Sequence, residues 1–194
     1  MVSEFKIVLA SSSPRRIELF ASLGICFNHI SPDVEEDNTS MDPIERVERN
    51  SLKKAESIQD QHLDSLIIGS DTVVSHGKEI MGKPVDKSDA VNMLRKLSGK
   101  CNIVYSGVSV LDQRSGKNLT RHAITKVWFN ELSEEHIRDY VNSGEPMDKA
   151  GAYGIQGLGG ELVEMIEGSY SNVVGLPLEL LTEMLSDLGI SIEN

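Results

Sequence analysis

Short, almost wholly apolar runs alternate along this chain with stretches whose apolar residues recur every three or four positions. The first pattern marks strands buried on both faces, the second amphipathic helices. "KIVLA" (6–10) fits such a strand. A Ser/Pro turn follows, then an amphipathic helix with Ser13 as N-cap and Pro14 at its first position, running to about Leu23 and stopped by Gly24. "ICFNHIS" (25–31) predicts a second strand, and "PIERVERNSLKKAESIQ" (43–59) has helical spacing. "SLIIGSDTVVS" (65–75) predicts a buried strand pair or one bent strand with Gly69 as the kink, and "HGK" a turn. "DKSDAVNMLRKLSGK" (86–100) predicts a helix ending at Gly99; "NIVYSGVSVLD" (102–112) and "NLTRHAITKVWFN" (118–130) predict long strands joined by "QRSGK". "SEEHIRDYVNSG" (133–144) predicts a helix capped by Ser133, and the tail carries a strand, "ELVEMIEG", and a helix opening at Pro177. Strands and helices in this order predict an α/β or α+β sheet with flanking helices, in one domain over 1–194.

Charge narrows the function. With 19 Lys+Arg against 30 Asp+Glu the net charge is -11, which argues against a protein whose main task is gripping nucleic acid or an anionic membrane. Any basic site must be local. Cys26 and Cys101 lack CxxC spacing, which argues against a disulfide scaffold or a cysteine zinc site. The opening "MVSEFKIVLA" lacks the features of a signal peptide, and no apolar run approaches the ~20 residues needed to span a bilayer. A soluble cytoplasmic protein is expected.

The local basic site is signalled by an inversion. Arg15 and Arg16 fall in the first turn after "LASSSP", where the positive end of the helix dipole favours acids. Free amides, the hydroxyls of Ser11 to Ser13 and two guanidinium groups would together bind phosphate oxygens; the plainer reading is two solvated arginines neutralised by Glu18 or a distant acid. Lys54 lies about 20° from Val47 on the apolar face of its helix, whereas Lys53 projects from nearly the opposite side. An ammonium there needs an anionic partner or a route to water along its stem. Asp71, inside the apolar "IIGSDTVV", reads either as a turn cap or as a carboxylate fixed at a strand end, able to hold a divalent cation or take a proton from water. Asp33, Glu35, Glu36 and Asp37 form an acidic loop, solvated surface unless a triphosphate and its metal lie beside it. Lys83, before Pro84, is biased to extended backbone, although alone it reads as an exposed loop lysine. Walker, GxGxxG, GxSxG and HExxH patterns are absent, and Trp128 and Phe129 read as core.

Taken together, "LASSSPRR", "GSDTVV", "GKP", "LRKLSGK" and "DKAGAYGIQGLGG" closely resemble the Maf family of nucleoside triphosphate pyrophosphatases, over nearly the whole chain. The resemblance implies an α/β fold with an elongated mixed sheet flanked by helices, two lobes around a cleft, similar to inosine triphosphate pyrophosphatases, and a homodimer. "SPRR", "SDT" and "GIQG" look like the branch acting on dTTP and UTP and linked to modified pyrimidine nucleotides; a sister branch prefers 7-methyl-GTP. By this resemblance Arg15, Thr72 and Gln156 set substrate choice, while Ser11, Arg16, Glu36, Lys54, Asp71 and Lys83 surround the phosphates and the metal.

The implied reaction is hydrolysis between the α and β phosphates, giving monophosphate and pyrophosphate. Arg16, Lys54, Lys83 and a divalent cation would stabilise the charge that develops there; Mg²⁺ is the expected ion, with Mn²⁺ or Co²⁺ as alternatives. Asp71 would serve as general base or, with Glu36, as metal ligand. The Gln156 amide offers a donor and an acceptor, which suits the carbonyl and N–H edge of uracil or thymine, and its neighbouring glycines permit close backbone approach. Ribose and deoxyribose would both be tolerated. The competing readings are a 7-methyl-GTP pyrophosphatase, a nucleotide-binding regulator of septum formation that does not turn substrate over, and a nucleic-acid partner, which the charge disfavours.

Overall fold

A computed structural model of the chain describes residues 6–190. Seven strands, β1 (Lys6–Ala10), β2 (Asn28–Ile30), β3 (Ser65–His76), β4 (Glu79–Met81), β5 (Cys101–Asp112), β6 (Lys117–Phe129) and β7 (Val163–Glu167), form one sheet in the order β2-β1-β3-β5-β6-β7, with β4 paired to β3. The sheet is mixed: β1 runs parallel to β2 and β3, whereas β4 and β7 are antiparallel to their neighbours. The helices are α1 (Pro14–Ala21), α2 (Pro43–Glu56), α3 (Lys87–Leu97), α4 (Glu134–Asn142), α5 (Tyr170–Val174) and α6 (Leu178–Asp187). None of the described helices is long and apolar enough to cross a membrane.

The residues group into two compact units. The first takes the stretches up to Asp71, Ser106–Ala123 and from Gly175 onward; the second takes Thr72–Tyr105 and Ile124–Val174. In the first unit the strand period of two sorts each central strand between two apolar clusters. Ile7 and Leu9 of β1 and Leu66 and Ile68 of β3 pack with Phe20 and the α6 residues Leu181, Met184 and Leu185. Val8 and Ala10, with Ile67, pack with Ala55 and Ile58 on the other side. Cover on both faces is why "KIVLA" and "LIIG" are uninterrupted apolar runs rather than alternating ones.

β3 is one continuous strand from Ser65 to His76, so the segment is not a pair of strands. Gly69 within it is required by proximity. A Cβ on it would collide with the Ser51 carbonyl oxygen of α2 and lie 3.0 Å from the Ala55 nitrogen. Gly107 of β5 admits the Val47 carbonyl of the same helix in the same way. Two glycines thus let α2 lie almost on the sheet, and this closeness decides what its side chains can reach.

The second unit has its own core, in which Leu94, Leu97, Val104, Val127, Phe129 and Tyr153 are buried together. Phe129 meets Tyr153 edge to face at 4.7 Å between ring centroids. Trp128 departs from expectation: it is half-buried, with the Lys126 ammonium 5.9 Å from its ring centroid. Helix α1 ends two residues before the expected Leu23, and β4 and α5 are too short to leave a periodic signal.

Gly69→Ala must displace helix backbone rather than a side-chain tip. We expect a loss of about 1–3 kcal/mol, as in overpacked cores, read as a lower urea midpoint with an unchanged slope.

Candidate active site

The start of α1 is organised by hydroxyls. Ser13 caps in extended geometry but makes no side-chain cap hydrogen bond. Its backbone N–H instead donates to the buried Ser11 Oγ at 3.1 Å. Arg16 then turns back onto the protein, its Nε donating to the Gly175 carbonyl and its Nη1 to the Ser70 carbonyl, both at 2.8 Å. These two bonds set aside the reading of Arg16 as a solvated surface arginine. Burial lowers its proton affinity; the charges of Asp71 and Glu36 act in the opposite direction, and neighbouring Arg15 lowers it further. An arginine in a protein nonetheless stays charged, so Arg16 contributes a fixed cation within the field of both acids.

Lys54 does not snorkel. Its side chain is 10% exposed, and Nζ lies 2.6 Å from Asp71 Oδ1 and 2.7 Å from Glu36 Oε1. Asp71, with its side chain 6% exposed, is no turn cap: it sits in the continuous strand β3, one residue after the Ser70 whose carbonyl holds Arg16. The acidic loop meets Lys54 through Glu36. Lys53 points outward, 40% exposed and 3.8 Å from Asp37, as its helical phase predicts.

Asn50 is the residue that sequence reasoning missed. One turn before Lys54 on the same face of α2, it is buried, and its Nδ2 donates to Asp71 Oδ2 at 3.3 Å. Its Oδ1 accepts from the Asp37 backbone N–H at 2.7 Å, and Nδ2 also reaches the Asp37 carbonyl at 3.4 Å. One amide therefore ties the loop bearing Glu36 to the strand bearing Asp71. The available signal was phase: Asn50 shares the apolar stripe with Val47 and Ser51, where an uncharged polar residue needs buried partners. Asp37 secures the loop further, with its carboxylate accepting from Thr39 Oγ1 at 2.6 Å and Arg49 Nη1 at 2.7 Å.

Ser11, Arg16, Glu36, Lys54 and Asp71 are thus gathered in the first unit. Arg15 is half-buried beside Arg16 on α1. Thr72, Lys83 and Gln156 belong to the second unit. There Thr72 follows Asp71 along β3, Lys83 is exposed before the buried Pro84, and Gln156 is exposed in extended backbone ahead of the short 3-10 turn Gly157–Leu162. Among the described residues no three His, Cys, Asp or Glu side chains converge into a metal cage. What exists is a pair of carboxylates sharing one cation, the Lys54 ammonium.

A guanidinium and an ammonium held beside a buried acid, next to a hydroxyl-lined helix start, are chemistry for phosphoryl groups, and the surrounding fold is one that solved proteins share. The Ham1 protein of Staphylococcus aureus superposes with a TM-score of 0.51 at 15% identity, covering 94% of this chain and 99% of that one. These features define a mixed α/β protein with a buried lysine–carboxylate cluster. More particularly, the chain belongs to the Maf family, whose model, described as Maf-like protein, matches residues 6–188. Relatives named dTTP/UTP pyrophosphatase include one from Dictyoglomus thermophilum, 47% identical over 189 residues, covering 96% of this chain and 98% of its own length. Another, from Aquifex aeolicus, is 45% identical, covering 95% of this chain and 96% of its own.

Two outcomes are expected here. Asn50→Ala strands the Asp37 N–H and withdraws a donor from Asp71, so unfolding should become easier by about 1–3 kcal/mol, measured in urea. Hydrogen bonds from Thr39 and then Arg49 hold the Asp37 carboxyl well below the usual carboxylate range. The folded form is therefore favoured above the unfolded value of about 4, and this contribution fades as pH falls from there toward the depressed folded value. Asp37→Asn should flatten the acid limb of the stability curve and leave its neutral shape unaltered.

Proposed function

We propose that this protein is a nucleoside triphosphate pyrophosphatase that hydrolyses dTTP and UTP between the α and β phosphates, releasing monophosphate and pyrophosphate, as a single Maf-like domain over 1–194. The observation that carries this reading is the convergence of Glu36 and Asp71 on Lys54, with Arg16 fixed through the adjoining Ser70. Its support in substrate is the name shared by relatives that are 43–47% identical over nearly their whole lengths.

In this reading Arg16 and Lys54 stabilise the negative charge that grows on the bridging oxygen and departing pyrophosphate. Ser11 and the first-turn amides of α1 hold nonbridging oxygens, and Lys83 supplies a further ammonium. Asp71 orients the attacking water and accepts its proton. Lys54 and Asn50, each bonded to a different oxygen of Asp71, keep that carboxylate in one orientation. Glu36 and Asp71 fit a divalent cation such as Mg²⁺, since two carboxylate oxygens already share one positive partner and such an ion takes its other ligands from water and phosphate. Bound there, it would neutralise polyphosphate charge. Arg15, Thr72 and Gln156 select the base and its attached groups, with Gln156 pairing the pyrimidine edge. Work in the cytoplasm as a homodimer is part of the same proposal and rests on the family resemblance.

Pyrophosphate release from a panel of triphosphates tests the reading. With Mg²⁺, dTTP and UTP should be the best substrates and chelation by EDTA should stop turnover. Faster cleavage of 7-methyl-GTP would move the chain to the sister branch, and binding without turnover would make it a regulator. Asp71→Asn should lower kcat by about 10²–10⁴, and Arg16→Ala or Lys83→Ala by about 10²–10³.

A further inference from the structure

We infer that Glu145 is a positioning residue for base selection, its carboxylate holding in place the glycine-rich segment that carries Gln156. The inference rests on the proposed role of Gln156. Glu145 opens the 3-10 turn Glu145–Asp148, just after Gly144 in left-handed geometry (φ 80°). Its Oε2 accepts from the Leu158 N–H at 3.1 Å, and its Oε1 from the Gly159 N–H at 3.2 Å. Two successive backbone N–H groups aimed at one anion are the arrangement by which loops cradle phosphates. In this loop the anion comes from the protein itself.

The other end of the segment is held by the same cluster. The Tyr140 hydroxyl donates to Glu145 Oε1 at 3.1 Å and accepts from the Gly154 N–H at 3.2 Å. Burial raises the Tyr140 hydroxyl above its ordinary range, which keeps it a neutral donor. Residues 154 and 159 are thus tied to one phenol–carboxylate pair, and Gln156 lies between the ties. The glycines answer to this packing. A Cβ on Gly159 would stand 2.6 Å from the Tyr140 oxygen, one on Gly157 2.9 Å from Glu145 Oε2, and one on Gly154 2.6 Å from Lys149 Cε. Gly157 also takes a left-handed φ of 69°. "GIQGLGG" is therefore glycine-rich because Gly154 and Gly157 lie against Lys149 and Glu145, while Gly159 and Gly160 also crowd the segment's own carbonyls at Gly154 and Ile155, a reason independent of any substrate. An amide that must present its donor and acceptor to a base edge in fixed order needs a backbone held in this way.

The test compares kcat/KM for dTTP and dATP, with KM and kcat resolved separately, in the full-length protein with Mg²⁺ and its Glu145→Gln, Tyr140→Phe and Gln156→Ala variants. Glu145→Gln sets an NH₂ group against a backbone donor, and Tyr140→Phe removes both hydroxyl bonds while leaving the ring in the core. Both should erode the dTTP preference roughly tenfold or more, as small misplacements do, with the loss falling on KM more than on kcat and in the same direction as in Gln156→Ala. If Gln156→Ala erodes the preference while Glu145→Gln and Tyr140→Phe preserve it, Glu145 does not position the base reader. If the two variants lower kcat and thermal stability together with the preference intact, Glu145 is structural only, and the inference is overturned. A preference unchanged in Gln156→Ala removes the Gln156 reading, and the inference goes with it.

Discussion

A lysine ammonium and an aspartate carboxylate cannot be buried together cheaply. Each loses hydration worth several kcal/mol, and only close geometry with further hydrogen bonds compensates. Lys54 and Asp71 meet at 2.6 Å, and the architecture around them answers this demand. Glu36 gives the ammonium a second anionic partner, and Asn50 gives the carboxylate a second donor. Gly69 and Gly107 lack side chains, so α2 lies near enough to the sheet for its residues to reach β3 at all. Both faces of β1 and β3 are covered, which fixes the strand that bears Asp71. Since an apolar pair would satisfy the same space with less loss of hydration, a buried ion pair is a poor device for stability alone. Its place here is better explained by chemistry.

The wider electrostatics point the same way. Under the proposed function, a net charge of -11 would repel a triphosphate at a distance, so capture would depend on contacts within the site rather than on long-range steering. Arg16 is suited to such contacts because its guanidinium is fixed by two backbone carbonyls. A planar cation anchored in this manner loses little conformational freedom when an anion arrives.

Much of this was legible in the sequence where the physics is local. Ser13 at the N-cap position, Pro14 after it, the Ser133 cap and the two long strands β5 and β6 follow from local chemistry and stand where expected, although Ser13 caps without a side-chain bond. The helical phase of Lys54 against Lys53 separated the buried cation from the exposed one. What stayed hidden depends on contacts between elements distant in sequence. The close packing at Gly69 was hidden because the helix that needs its missing Cβ passes through Ser51 and Ala55, and nothing in "IIGSD" announces that approach. Asn50 carried no local signal of which partners it meets, because Asp37 and Asp71 lie on either side of α2 in the chain. Charge and spacing alone do not distinguish Glu36 from Glu35; the contact of its carboxylate with Lys54 does.

The central claim is that a water oriented by Asp71 attacks the α-phosphorus of a pyrimidine triphosphate. Hydrolysis of dTTP in ¹⁸O-labelled water, with the products separated and weighed by mass spectrometry, tests it most directly. The account predicts one heavy oxygen in dTMP and none in pyrophosphate. Label in the pyrophosphate, or in free phosphate released beside dTDP, would contradict it.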